Sequence, residues 1–152
     1  MRTEIRSAIP SDAREIAECL RILGYGTSEQ LVLRRIDEFS SSETDIILVA
    51  QSCDTSTLLG VVSAHALPLF HAEGWLVRLT SLAVSGKYHG QGVGRLLVAA
   101  AEDWAWSVGA QRVEVTSGDH RSSAHAFYQA IGYTLDERRF IKRAAIAKSY
   151  DS

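Results

Sequence analysis

Four glycines, Gly86, Gly90, Gly92 and Gly94, fall within nine positions of a 152-residue chain that holds eleven in all. The cluster joins two segments of opposite character. Before it, Trp75–Val84 reads Trp-Leu-Val-Arg-Leu-Thr-Ser-Leu-Ala-Val, an apolar run of strand length. After it, Val93, Leu96, Leu97, Ala100, Ala101 and Trp104 recur at helical spacing until Gly109 stops the pattern. Glycine inside a helix costs about 0.8 to 1 kcal/mol relative to alanine, so Gly92 and Gly94 in a first turn carry a penalty that something should offset. A first turn has free N–H groups and a partial positive charge, and residues without a β-carbon let an anion come close to them. The spacing therefore predicts a phosphate cradle, with Lys87 and Arg95 as flanking cations, and leaves open a glycine-rich turn that binds nothing. It is neither of two better-known phosphate loops: G-x-G-x-x-G fails because Arg95 stands at the third glycine, and G-x-x-x-x-G-K-[ST] is absent.

The rest of the composition narrows the class. Sixteen Lys and Arg against eighteen Asp and Glu leave a net charge of -2, without the basic excess of a nucleic-acid binder, so no nucleic-acid partner is expected. No stretch approaches the roughly 20 apolar residues that span a bilayer, and the first six residues lack the apolar run of a signal peptide. The expectation is a cytoplasmic protein with no membrane partner. Cys19 and Cys53 are the two cysteines, with no C-x-x-C spacing, and are expected to be buried as small apolar residues. No H-E-x-x-H or similar spacing occurs, so no metal is expected to be required.

With 46% hydrophobic and 22% charged residues, the length fits one domain over 1–141 and a C-terminal tail over 142–152. The predicted order is β-α-α-β-β-β-α-β-α-β. Residues 3–9 read as a strand, Ser11 or Asp12 as the cap of a helix through Ile16, Leu20 and Leu23, and Ser28 as the cap of a second short helix. Asp45–Ser52 and 58–69 predict an antiparallel hairpin with Pro68 near its far end, followed by the Trp75–Val84 strand and the helix over 92–108. A strand over 112–116, a helix over 122–131 closed by Gly132, and a last strand over 133–141 complete it.

The glycine cluster also carries a family resemblance. His89-Gly90-Gln91-Gly92-Val93-Gly94 resembles the [Arg/Gln]-x-x-Gly-x-[Gly/Ala] signature of the GNAT superfamily of acetyl-CoA-dependent N-acetyltransferases, with His89 where that family has Arg or Gln. Leu82-Ala83-Val84 resembles the family's preceding strand. Ala124-His125-Ala126-Phe127-Tyr128-Gln129-Ala130-Ile131-Gly132-Tyr133 is similar to its second motif, with Arg121 where many members have Asn. A narrower similarity, over 65–75, 116–121 and 140–142, is to aminoalkylphosphonate N-acetyltransferases. The resemblance implies an α/β fold with a central, mixed, mostly antiparallel twisted sheet flanked by helices.

It also implies chemistry. Acetyl-CoA would be the cosubstrate, with the backbone of Leu82, Ala83 and Val84 along its pantetheine arm and the segment His89, Gly90, Gln91, Gly92, Val93, Gly94 and Arg95 around its pyrophosphate. Direct attack by a primary amine, in a ternary complex, needs a neutral nucleophile and a protonated leaving thiolate. Tyr128 is the candidate acid, since a phenol holds its proton to higher pH than a thiol does, with a packed helix aromatic beside Phe127 as its alternative. Many members carry acidic residues on the fourth strand near the amine, where this chain has Arg78, Thr80 and Ser81, so the resemblance assigns no base. His71 and Glu73 are candidates for proton acceptance or substrate contact, and Tyr25 for the acceptor pocket, each with a plain surface role as its alternative. The expected partner is a small-molecule amine. A protein lysine or N-terminal acetyltransferase and a non-catalytic acetyl-CoA-binding module remain alternatives, and a homodimer remains open.

Overall fold

A computed structural model describes residues 2–115, 122–136 and 138–145. The β-branched and leucine-rich runs form five strands, β1 (Thr3–Ser7), β2 (Asp45–Ser52), β3 (Leu58–Pro68), β4 (Trp75–Val84) and β5 (Ala110–Val115), lying side by side in chain order. The first four pair antiparallel, and β5 runs parallel to β4. The expected hairpin is the β2–β3 pair, with Asp45 opposite His65 and Val49 opposite Val61. Pro68 ends β3, where a missing ladder donor costs least.

Three helices cover the sheet: α1 (Ala13–Ile22), α2 (Glu29–Ser40) and α3 (Val93–Ser107). Ile16, Ala17, Val32 and Ile36 of α1 and α2 pack with Val49, Val61 and Ala83 from one face of the sheet. Gly60, next to Val61, faces the other side, where an added β-carbon would lie 3.0 Å from Leu97 of α3. The helices therefore form two layers, α1 and α2 on one face and α3 on the other. Ser28 caps α2 as expected, its hydroxyl accepting from the Leu31 N–H at 3.1 Å. Asp12 is used differently. It ends a 3-10 turn, Pro10–Asp12, and its carboxylate accepts from the Ile9 N–H at 2.8 Å and from Arg6 through both oxygens, at 2.8 and 2.9 Å. Burial pushes the Asp12 carboxyl up, and the Arg6 and Ile9 bonds outweigh it, so it sits below its ordinary 3.8.

The ladder between β3 and β4 is broken once. Ser63 faces Ser81 and Ala64 faces Leu79, so Thr80 is an extra residue, a β-bulge. Pairing of β4 with β5 ends at Leu79 opposite Val115. From Thr80 to Val84 the strand keeps its partner on the β3 side, and no described residue pairs with its other edge.

Contacts divide the chain into two compact units, 1–115 and 116–152. In the second, α4 (Ser122–Ala130) is followed by Gly132 at φ +99°, with the Tyr133 N–H on the Tyr128 carbonyl at 2.9 Å, so the predicted glycine closure holds. The predicted last strand is not present among the described residues of 133–141. There Asp136 pairs with Arg138 two residues on, at 2.7 Å, and Leu135, Phe140 and Ile141 are exposed, so this apolar-polar alternation has no covered face to serve. Cys19 is buried as expected, whereas Cys53 is exposed, because it falls in the turn after β2 instead of on the strand.

Two outcomes follow from this packing. A β-carbon at Gly60 would also lie 2.8 Å from the Ala83 carbonyl oxygen, a backbone atom that cannot swing away. Gly60→Ala should lower the urea midpoint by an amount equivalent to about 1 to 3 kcal/mol. Because the Asp12 carboxyl is depressed in the folded state, its contribution is present at neutral pH and lost as pH falls below about 4. Asp12→Asn should cost about 2 kcal/mol at pH 7, and chemical denaturation from pH 7 to 3 should show the variant losing less stability over that range than the parent.

Candidate active site

The glycine cluster forms the corner between β4 and α3. Ser85 extends the ladder by donating its N–H to the Leu59 carbonyl at 2.8 Å, a 3-10 turn follows at Gly86–Tyr88, and the chain then reverses into the helix. Gly90 and Gly92 have φ of +77° and +82°, values that favour glycine, while Gly86 does not. A β-carbon at Gly86, Gly90 or Gly92 would meet no atom of the chain within 4 Å. Glycine is therefore kept by backbone conformation at two of these positions and by crowding at none of the three, and the space beside them is open.

Gly92 is the cap residue of α3, with no side chain on its amides. The first bond inside the helix is from the Leu96 N–H to the Gly92 carbonyl at 3.1 Å, so the N–H groups of Val93, Gly94 and Arg95 precede it and are free for an outside acceptor. Lys87 and Arg95 are exposed on either side. Fifteen helical residues stand behind this end, enough for the full partial charge of a helix terminus. The residues present fit an anion such as a pyrophosphate. His89 turns back on the loop and donates its Nε2–H to the Val84 carbonyl at 3.0 Å. Its visible work is to tie the loop to the end of β4.

Leu82, Ala83 and Val84 lie beyond the last described pairing with β5, and among the described residues no strand takes up their second backbone edge. Ala83 is buried beneath α1 and α2, and Leu82 and Val84 are half-buried. Tyr128 lies on α4, its ring edge-on to Phe127 at 5.1 Å and to Tyr133 at 5.9 Å between centroids. Tyr25 is half-buried in the connection between α1 and α2. His71 and Glu73 sit in the turn before β4, about 30 Å of extended strand from Val84. The segment 116–121, with His120 and Arg121, lies outside the described residues.

A polar group that no motif indicated occupies the bulge. The Thr80 hydroxyl lies 2.7 Å from Ser63 Oγ and 2.7 Å from His65 Nε2, and His65 Nδ1 lies 2.8 Å from the Asp45 carboxylate. The hydroxyls of Ser42 and Thr44 donate to the other Asp45 oxygen at 2.7 and 3.1 Å. Burial raises the Asp45 carboxyl, and the bonds from His65, Ser42 and Thr44 more than reverse this, leaving it below its ordinary value. Opposite His65 on β4 stands Arg78, bound to Glu114 of β5 at 3.0 Å. Among the described residues there is no cluster of three His, Cys, Asp or Glu that could hold a metal, and no helix long and apolar enough to cross a membrane.

The chain matches the acetyltransferase (GNAT) family over residues 13–133. It is 33% identical over 85 residues to an aminoalkylphosphonate N-acetyltransferase of Salmonella typhimurium, a match covering 56% of this chain and 55% of that protein. It is 27% identical over 143 residues to an aminoglycoside N(6')-acetyltransferase type 1 of Stenotrophomonas maltophilia, covering 88% of each. The crystal structure of an aminoglycoside N-acetyltransferase in complex with CoA superposes with a TM-score of 0.81 at 17% identity, over 95% of both chains, a likeness of fold.

The corner itself makes a separable prediction. Gly92→Ala should lose about 1 to 2 kcal/mol of folding stability from the left-handed backbone alone, since the new methyl meets nothing. Thermal unfolding of the unliganded protein measures it, and a loss several times larger would show that the corner is tighter than described.

Proposed function

The chain belongs to the acetyltransferase (GNAT) family and is an acyltransferase, and we propose that it moves the acetyl group of acetyl-CoA to the primary amine of a small molecule by direct attack in a ternary complex. The observation that carries this reading is the glycine corner where β4 turns into α3, whose N-terminus has no side-chain cap. Family membership supports the cosubstrate. The names of the two curated relatives, one acting on aminoalkylphosphonates and one on aminoglycosides, support a small-molecule amine. The proposed enzyme takes 1–141 as one catalytic domain.

When bound, acetyl-CoA supplies an activated acyl group. In the proposed complex the N–H groups from Gln91 to Arg95 hold its pyrophosphate, with Lys87 and Arg95 adding charge where the protein as a whole is slightly acidic. The free edge of β4 at Leu82, Ala83 and Val84 hydrogen-bonds to the pantetheine amides as an added strand would, which fixes the reach of the thioester along the strand. Tyr128 donates a proton to the sulfur as it departs. The phenol suits this role because it stays protonated at neutral pH and can still give up its hydrogen to a thiolate within hydrogen-bonding distance.

Thiol release from acetyl-CoA, corrected for hydrolysis, should rise with at least one member of a panel of small primary amines. Binding of acetyl-CoA with no turnover on any amine, peptide amines included, would count against catalysis. Tyr128→Phe should lower kcat by about 10²-fold or more and leave acetyl-CoA affinity within a few fold. Gly92→Val should do the reverse, weakening acetyl-CoA by about tenfold or more. An unchanged rate in the first variant removes Tyr128 as the acid, and an unchanged affinity in the second moves the cradle elsewhere.

A further inference from the structure

Amide formation needs a lone pair on nitrogen, and an alkylamine at neutral pH is an ammonium ion that must first give up a proton. Thr80 and Ser81 stand on the splayed part of β4 without a carboxylate between them. The carboxylate stands two strands away, on β2, and a continuous row of hydrogen bonds links it to the bulge: Asp45 to His65 at 2.8 Å, His65 to Thr80 at 2.7 Å. We propose that Thr80, His65 and Asp45 form a proton relay that deprotonates the acceptor amine, with Thr80 the group that touches it; this rests on the acetyl-transfer reading above.

Three features of the fold support the assignment. First, the bulge makes Thr80 the residue without a ladder partner, and its hydroxyl lies on the α1 and α2 face beside the Ser63 hydroxyl and the His65 ring. Second, Thr80 is exposed and follows Leu79, the last residue of β4 that pairs with a described residue of β5, so it stands at the end of that described ladder. Third, the histidine is oriented from behind. Phe39 of α2 meets the imidazole edge-on at 5.5 Å, and the Asp45 carboxylate, itself held by Ser42 and Thr44, accepts from Nδ1. A proton on Nδ1 leaves Nε2 of the neutral ring with a lone pair facing Thr80. Arg78, opposite His65, opposes a second positive charge on this face and so favours release of the proton from the imidazolium; its ion pair with Glu114 at 3.0 Å, a carboxylate shared with Arg112 at 2.8 Å, offsets that charge in part.

The step balances without a further reactant. One N–H bond of the ammonium breaks and its proton passes to Thr80 Oγ1, while the hydroxyl's own proton passes to His65 Nε2. The amine keeps the electron pair of the broken bond and is then neutral. The imidazolium keeps its Nδ1–H on Asp45, and with 24% of the side chain exposed it returns the proton to water.

A relay is distinguished from a strut by how the loss depends on the acceptor. At pH 7, His65→Ala should lower kcat/KM by about 10²-fold or more for an alkylamine that is protonated in solution. For an alkoxyamine, already neutral at that pH, the loss should be tenfold or less. Acetyl-CoA affinity should stay within a few fold, added imidazole should restore part of the alkylamine rate, and Thr80→Ser should keep the activity that Thr80→Val loses. Equal losses on both acceptors, or no loss on the alkylamine, would overturn the relay. So would an acetyl group on Thr80 in the intact mass after acetyl-CoA alone, which would make that hydroxyl a nucleophile. A parent protein that binds acetyl-CoA and acetylates neither acceptor refutes the acetyl-transfer reading instead. Nitrogen NMR of the His65 ring then tests the relay's geometry directly: an Nδ1–H tautomer supports it and an Nε2–H tautomer overturns it.

Discussion

A strand inside a sheet has two rows of backbone N–H and C=O groups to satisfy, and among the described residues β4 satisfies both over only half its length. From Trp75 to Leu79 it is held by β3 and β5; from Thr80 to Val84 the described partner is β3. The glycine loop, α3 and the bulge are arranged around that edge. The loop after Val84 reverses at two left-handed glycines so that α3 starts beside it, and His89 pins the reversal to the last carbonyl of the strand. Gly60 lets β4 and α3 come close enough on the far face for Leu97 to seat against the sheet. The open edge thus stands on a rigid base, with α1 and α2 covering one side and α3 the other.

The strand-to-helix corner was legible in the chain because it is local. An apolar strand, a glycine cluster and an amphipathic helix are contiguous in sequence, and turn conformation and helix-end chemistry act over a few residues. The ends of β2 and β4, the caps at Ser28 and Gly132 and the closure of α3 before Gly109 are readable for the same reason. Asp12 shows the limit even there: it stands at the start of a helix as expected, but Arg6, six residues earlier, claims both of its oxygens.

The bulge group was not legible because it depends on register. Asp45, His65 and Thr80 lie on three strands separated by loops of unlike length, and nothing in their spacing says that they share a row. That fact belongs to the pairing of Asp45 with His65 and to the extra residue on β4. Gly60 escaped for the same reason, since it looks like any strand glycine until Ala83 is placed opposite. The predicted strand over 133–141 failed in the other direction: a local alternation was present, but the described residues there have no ladder and no covered face.

Thr80 is one residue more than the β3–β4 ladder requires. Removing it would let Leu79 and Ser81 alternate regularly and the pairing run unbroken from Trp75 to Val84, a better sheet by the sheet's own measure. The surplus residue adds nothing to the core, and it is the most exposed member of the row. Strand β4 therefore carries an insertion that folding alone gives no reason to keep.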